Sequence, residues 1–212
     1  GINRTYPNEL TREGTLNYEA DKWNPEGISP DHDLDIIFTR MLAGSTDYHL
    51  GGFRAVPPSK FKTQYTRPLM LGTRCHMLAM YAVLENYLQM VCDYPAAYEG
   101  EPGFEFIKQI PTVWDETKFI DGKPGSFIAM ARRCKNDWYI GVLNNHDAKE
   151  MEVPLQFLGD GKYTADIYTD AADVDQQPDH IQIENKTVTN TDVLHLKMAG
   201  GGGTAIRIKK AG

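Results

Sequence analysis

The chain has 212 residues, of which 41% are hydrophobic, so it can bury the core of one large domain or two small ones and is not a disordered protein. Its 29 acidic and 22 basic residues give a formal net charge of -7, and we therefore expect no general affinity for nucleic acid. No apolar run approaches the roughly 18 residues of a membrane span, so we expect no membrane association.

The first half of the sequence predicts loops that alternate with helices. A short helix is expected over residues 34–42, where Asp31 or Asp33 would cap its start and Gly44 would end it. The segment Asp47-Tyr48-His49-Leu50 that follows resembles a short strand.

A longer, mostly buried helix is predicted over residues 66–92 from apolar side chains at helical spacing. Pro68 suits its first turn, and Pro95 would stop it. Cys75 and Cys92 would then lie on one helix. With Cys134 the cysteines number three and lack a CxxC spacing, so we expect free and mostly buried thiols.

After residue 108 the helical spacing gives way to period-two runs with turns about every ten residues. Strands are predicted over residues 114–120, 126–133, 138–144, 150–157, 162–169, 181–184, 193–197 and 204–209. Such a series of short strands without helices is typical of a β-sandwich. The chain is therefore expected to divide into an α/β part, residues 1–108, and an all-β part, residues 109–212. The first part has too few strands to close a sheet by itself.

Two glutamates, Glu13 and Glu19, stand out in a segment rich in glycine, proline and aromatic residues. Their separation of six residues places them on neither one helix face nor one strand face, so they converge only if the loop folds back. Taken alone, two solvated loop carboxylates are the more common interpretation. The nearby Tyr18 and Trp23 favour a site, because aromatic rings often accompany carboxylates where sugars stack.

A series of motifs extends in one order along nearly the whole chain. They are Arg4-Thr5-Tyr6-Pro7-Asn8, Thr11-Arg12-Glu13-Gly14, Glu19 with Trp23, Phe38-Thr39-Arg40-Met41-Leu42-Ala43-Gly44, Asp47-Tyr48, Thr73-Arg74, Leu88-Gln89-Met90, Tyr98-Glu99-Gly100, Thr112-Val113-Trp114-Asp115-Glu116-Thr117, Ala131-Arg132-Arg133 and Trp138-Tyr139-Ile140-Gly141. In this order they resemble the carboxy-terminal portion of glycoside hydrolase family 97, a family of calcium-dependent α-glucosidases and α-galactosidases.

The resemblance implies an architecture of an amino-terminal β-sandwich, a (β/α)8 barrel and a carboxy-terminal antiparallel β-sandwich. Residues 1–108 would then be the last units of the catalytic barrel, and residues 109–212 would be the final domain. We therefore expect a piece of a longer protein that is inactive alone.

The resemblance also implies roles for single residues. Glu19 matches the general acid that protonates the departing glycosidic oxygen, and Glu13 matches a ligand of a calcium ion (Ca2+). Because calcium takes six to eight oxygen ligands, two glutamates are too few and the remaining ligands would lie upstream, so weak or absent binding is expected here. Asp47, Tyr48 and His49 would end the last barrel strand, where side chains often face a substrate.

The expected substrate is an oligosaccharide with α-linked glucose or galactose, and neither the choice of sugar nor the stereochemical outcome follows from the chain. The family resemblance implies a periplasmic location.

Cut from its neighbours, the helix over residues 66–92 would leave an apolar face in water, which predicts dimerisation through exposed barrel helices or a rearranged first half.

Other features favour structural interpretations. His76 on the long helix is more commonly packed or at the surface than a ligand, and the histidines show no zinc-binding spacing. Gly200-Gly201-Gly202-Gly203 precedes a strand and is expected to be a flexible turn. The alternative functions are a carbohydrate-binding or structural β-sandwich module and a non-catalytic subunit of a complex.

Overall fold

The structure is a computed structural model that describes residues 2–211. The first half consists of short elements joined by long loops. Its helices and strands are α1 (Ile2–Thr5), α2 (Pro30–Phe38), β1 (His49–Leu50), α3 (Arg74–Val83), β2 (Met90–Val91) and α4 (Phe104–Gln109). The helices among residues 2–211 include no candidate for a membrane-spanning segment.

Helix α2 begins four residues earlier than predicted. Its cap is Ser29, whose hydroxyl accepts from the backbone N–H of His32, and Pro30 occupies the first turn. The prediction of Asp31 or Asp33 as cap was therefore wrong, because both carboxylates lie inside the helix. The helix ends at Phe38, and a separate 3-10 turn covers Arg40–Ala43.

Helix α3 is much shorter than the predicted helix of residues 66–92. It begins after Thr73, whose hydroxyl accepts from the N–H of His76, and it ends where Leu84 turns extended. Pro68 and Pro95 therefore lie outside it. The apolar periodicity beyond Val83 belongs to an extended segment that contains β2, so Cys92 does not share a helix with Cys75. All three cysteines are free, and Cys75 and Cys92 are buried, as predicted.

Strands β1 and β2 pair in parallel, and α3 lies between them along the chain. Two further parallel bridges join Arg12 to Thr46 and Ala55 to Met70. Parallel pairs linked through a helix are the unit of alternating α/β folds. These contacts agree with the predicted α/β character of the first half, and its assignment to a barrel stays a prediction.

The second half contains all eight of the predicted strands. They are β3 (Glu116–Lys123), β4 (Phe127–Cys134), β5 (Asp137–Asn144), β6 (Lys149–Pro154), β7 (Tyr163–Asp170), β8 (Ile181–Val188), β9 (Val193–Met198) and β10 (Gly203–Lys210). Six of them form one antiparallel sheet in the order β3-β4-β5-β10-β7-β8, and β6 pairs with β9. The carboxy-terminal part is therefore a mostly antiparallel β domain, as expected.

The large sheet is covered on both faces. On one face Ile140, Val142 and Ile206 share an apolar cluster with side chains of β6 and β9. On the other face Tyr139 and Ala205 belong to a cluster that includes most of α3. The alternation of side chains along β5 and β10 produces both layers from the same strands.

Two glycines of the sheet allow α3 to lie directly on the backbone. A Cβ on Gly141 would be 2.5 Å from the carbonyl oxygen of Ala79, and one on Gly203 would be 2.8 Å from Cα of His76. All ten residues of α3 are buried. The expectation that this helix leaves an apolar face for dimerisation was therefore wrong, because the β-domain within the same chain covers it.

Candidate active site

The loop that carries the two candidate glutamates does fold back on itself. The side-chain amide of Asn17 lies between them: its Nδ2 donates to Glu13 Oε1 at 3.4 Å, and its Oδ1 accepts from the backbone N–H of Glu19 at 2.9 Å. His49 Nδ1 is 3.2 Å from the same Oδ1 and 3.7 Å from Glu19 Oε2. Glu13, Asn17, Glu19 and His49 therefore form one polar cluster, which we call the glutamate cluster.

Asn17 orients Glu19 by capping a 3-10 turn, Tyr18–Lys22. Asparagine is a favoured cap because its side-chain oxygen satisfies a free backbone N–H. Within this turn Tyr18 is fully buried, whereas the side chain of Glu19 is 42% exposed. The turn therefore anchors itself in the core through Tyr18 and presents Glu19 at the surface.

Arg40 fastens the loop that carries Glu13. Its guanidinium donates to the carbonyl oxygens of Arg12 and Glu13 on one side and of Gly44 and Ser45 on the other. Gly14 allows this approach, because a Cβ there would lie 3.0 Å from Arg40 Nε and its φ of +147° suits glycine. A single cation thus joins the Glu13 loop to the segment that leads into β1.

The side chains of the three residues predicted to contact a substrate point in different directions. His49 lies in the glutamate cluster, and Asp47 is half-buried beside the Arg12 backbone, whose carbonyl accepts from the Asp47 N–H. Tyr48 is fully buried, and its hydroxyl donates to Asp33 Oδ1 at 2.7 Å. Successive residues of an extended chain point to opposite sides, which explains why Tyr48 faces the core instead of the site. Its side chain therefore cannot reach a substrate in this structure.

A buried cluster centred on Asp33 was not predicted from the sequence. The Asp33 carboxyl accepts from Tyr18 and Tyr48 and lies 3.0 Å from Nε2 of His76, and all four side chains are fully buried. His76 is packed, as expected, but its partner lies 43 residues away, so no local spacing could have revealed the pair. The only sequence signal was the position of Tyr18 and Tyr48, each directly before a candidate site residue.

Asp21, in the 3-10 turn Tyr18–Lys22, has a buried carboxyl group. Its Oδ1 accepts from the N–H of Ile28 at 2.8 Å, and its Oδ2 has no hydrogen-bond partner among residues 2–211. Burial raises the pKa of Asp21 to about 8, against the opposing effect of the Ile28 bond. The side chain is therefore protonated over most of the neutral range.

The oxygen ligands of the glutamate cluster suit calcium chemically, but they are too few to complete its coordination shell. Carboxylate and amide oxygens are ligands that calcium prefers, and Glu13, Glu19 and Asn17 supply them. Within residues 2–211, however, no three histidine, cysteine or acidic side chains lie close enough together to hold a metal ion. This chain could therefore furnish only part of a calcium shell.

Comparison with known proteins places both halves in one family. The family model described as "Glycosyl-hydrolase 97 C-terminal, oligomerisation" matches residues 113–209. A protein named retaining alpha-galactosidase from Bacteroides thetaiotaomicron is 37% identical over 99% of the chain, which spans 32% of that protein. The chain belongs to glycoside hydrolase family 97.

Solved structures of family 97 agree with this assignment. An enzyme from Pseudoalteromonas sp. strain K8, in complex with acarbose, matches the whole chain at 37% identity with a TM-score of 0.88, and the chain covers 33% of it. A second curated relative, named probable retaining alpha-galactosidase, from Streptomyces bingchenggensis, is 30% identical over 97% of the chain and is covered to 29%. The chain thus spans about a third of the length of its family 97 relatives.

We predict that Asp21→Asn stabilises the protein at pH 8 but not at pH 4. The folded-state pKa of Asp21 is raised to about 8, whereas an unfolded aspartate titrates near about 3.9, so the wild type loses stability as the pH rises between those values. The difference should reach a few kcal/mol in urea unfolding, on the order of the pKa gap. Asp175→Asn, which removes an exposed carboxylate, is the control. The same difference in stability at pH 4 and at pH 8 for Asp21→Asn would contradict the raised pKa of Asp21.

Proposed function

We propose that this chain is the carboxy-terminal part of an α-glycoside hydrolase, in which residues 1–108 complete a catalytic barrel and residues 109–212 form the final β-sandwich domain. The observation that carries the proposal is the glutamate cluster, in which Asn17 and His49 hold Glu13 and Glu19 at one surface. The names of the family 97 relatives support a retaining mechanism and α-galactoside or related substrates.

In this proposal Glu19 acts first as the general acid. It donates a proton to the glycosidic oxygen as the bond to the anomeric carbon breaks, while a carboxylate from outside this chain attacks that carbon. Glu19 then removes a proton from the water that releases the sugar. The half-exposed position of Glu19 leaves its carboxyl accessible to a substrate, and the contact with His49 limits its orientation.

Glu13 is proposed as a calcium ligand whose partners come from other parts of the full-length protein. The bound ion would supply a positive charge that orients the sugar. Arg40 holds the backbone at Glu13 in position and thereby sets where its carboxylate can reach. His49 and Asp47 are proposed to contact the substrate, and the periplasm is proposed as the location.

A sugar-binding module without catalysis is less well supported. Such a sandwich usually displays a row of exposed aromatic rings, but Trp138, Tyr139, Tyr163 and Tyr168 are all buried. The exposed Phe119 on β3 is a single ring. The geometry of residues 109–212 therefore favours a supporting domain over a glycan-binding one.

We predict that Glu19→Gln in the full-length protein lowers kcat/KM for an unactivated α-glycoside by about 10²- to 10⁴-fold, the usual contribution of a general acid. For an α-glycosyl fluoride, whose leaving group needs no proton, the loss should be less than about tenfold. Steady-state assays on both substrates, with galactose and glucose as the sugar, measure this difference.

The control is Glu26→Gln, because Glu26 is an exposed glutamate of the neighbouring loop. It should leave both rates unchanged. Equal losses on both substrates in Glu19→Gln would contradict the acid role, and wild-type protein inactive on every α-glycoside would contradict the proposed function.

We also propose that the β-domain joins two copies of the protein through strand β8, in keeping with the oligomerisation role named for its family model. β8 pairs with β7 along its whole length, and no described strand pairs with its other edge. Its residues from Gln182 to Thr187 are exposed. The opposite edge strand, β3, is instead interrupted by a bulge between Phe119 and Asp121, which discourages pairing.

The charges of β8 complement each other in a twofold pair. If two copies of β8 pair antiparallel about Asn185, Glu184 of one copy lies opposite Lys186 of the other, twice. Opposite charges in such positions contribute roughly 0.2–1 kcal/mol each, and like charges cost a similar amount.

We predict that Glu184→Lys and Lys186→Glu each weaken the dimer of the full-length protein about tenfold, and that the double variant restores it. Light scattering over a concentration series measures the dissociation constants. Lys123→Glu, an exposed charge change on β3, is the control. Equal weakening by the double variant, or an unchanged dimer in both single variants, would exclude this pairing.

A further inference from the structure

The buried carboxyl of Asp33 joins the two segments that carry Glu19 and His49. Its Oδ2 is 2.5 Å from the hydroxyl of Tyr18, and its Oδ1 is 2.7 Å from the hydroxyl of Tyr48. Tyr18 directly precedes Glu19, and Tyr48 directly precedes His49. One side chain of α2 therefore sets the distance between the two segments that meet at the glutamate cluster.

Both phenols are fixed donors. Burial raises the pKa of Tyr18 and of Tyr48 well above the ordinary value, and the nearby Asp33 raises both further. The hydroxyls therefore keep their protons at any working pH and always donate to Asp33. The two rings also meet edge to face, with centroids 6.2 Å apart.

His76 links this arrangement to the β-domain. Its Nε2 is 3.0 Å from Asp33 Oδ2, and its Nδ1 is 3.0 Å from the carbonyl oxygen of Gly202 in the turn before β10. A carbonyl oxygen only accepts, so Nδ1 carries a hydrogen and the Nε2 contact holds one proton between His76 and Asp33. The glycine turn is buried at Gly201, Gly202 and Gly203, so it is a packed contact rather than the flexible loop expected from sequence.

Unlike an ordinary hydrogen bond in the core, this cluster of Asp33, Tyr18, Tyr48 and His76 lies next to candidate site residues. A polar group buried without a partner costs free energy, so each of the four side chains depends on the others. Because Tyr18 and Tyr48 directly precede Glu19 and His49, the loss of either tyrosine contact frees a segment that carries a candidate site residue. Displacement of a catalytic group by about 1 Å can lower a rate about 100-fold.

We propose that Asp33 is a positioning residue for the general acid: through Tyr18 and Tyr48 it holds Glu19 and His49 at their working separation, and through His76 it ties that separation to the β-domain. This inference rests on the proposed function of Glu19. It assigns to the carboxy-terminal domain a part in shaping the site, in addition to covering α3.

The test compares two substrates in the full-length protein. Asp33→Asn retains the volume of the side chain but replaces one acceptor with a donor. We expect its kcat/KM to fall about 10- to 100-fold for an unactivated α-glycoside and less than about threefold for the α-glycosyl fluoride, because only the first needs a correctly placed acid. A purely structural role would lower both by the same factor.

Tyr18→Phe and Tyr48→Phe test the same idea if Asp33→Asn does not fold. Each removes one hydroxyl and no ring, and each should show the same preference for the fluoride, to a smaller degree. Asp35→Asn, an exposed carboxylate on the same helix, is the matched control and should change neither rate.

The outcomes separate the two proposals. Wild-type protein that hydrolyses neither substrate overturns the proposed function. Active wild-type protein with equal losses on both substrates, or with no loss in Asp33→Asn and both tyrosine variants, overturns the positioning role and leaves the proposed function in place.

Discussion

A single buried carboxyl, that of Asp33, organises the part of this chain that holds the proposed site residues. It accepts from two tyrosines and contacts a histidine, and these three reach it from three different segments of the chain. Burial of a carboxyl costs free energy that hydrogen-bond partners offset, and the fold brings three such partners to Asp33. The turn with Glu19 and the strand with His49 are placed as a consequence.

The antiparallel sheet provides the rigid support for this arrangement. Gly141 and Gly203 let α3 approach the sheet at backbone distance, and α3 carries His76 to Asp33. The same sheet packs on β6 and β9 with its other face. The predicted boundary at residue 108 falls within α4, and the apolar cluster around α3 draws side chains from both sides of it. Residues 1–108 and residues 109–212 therefore share the apolar cluster around α3.

The sequence predicted the second half better than the first for a physical reason. Antiparallel strands with polar and apolar alternation carry their signal locally, and all eight strands were found within a few residues of their positions. In the first half α3 is buried on every side, so its sequence lacks a polar face. Its apolar residues also continue without a break into the extended segment that follows it. Periodicity alone could not mark where the helix stops.

Only the candidate site residues that belong to recognisable motifs could be predicted from the sequence. The motifs predicted Glu13, Glu19 and His49 as site residues, and their roles stay predictions. Their convergence depends on Asn17 and Arg40, whose contacts come from loop geometry that spacing does not encode. Asp33 and His76 lie 43 residues apart, and neither has an unusual local environment in sequence. Tyr48 was assigned to the wrong side because the direction of a short strand's side chains is set by tertiary packing.

The most direct measurement is a crystal structure of the full-length protein, with Glu19→Gln to prevent turnover, in complex with an intact α-galactoside or α-glucoside. We expect the amide that replaces the Glu19 carboxyl to lie within about 3 Å of the glycosidic oxygen, with His49 beside the sugar. A sugar bound elsewhere, with positions 13 and 19 facing open solvent, would contradict this account of the site.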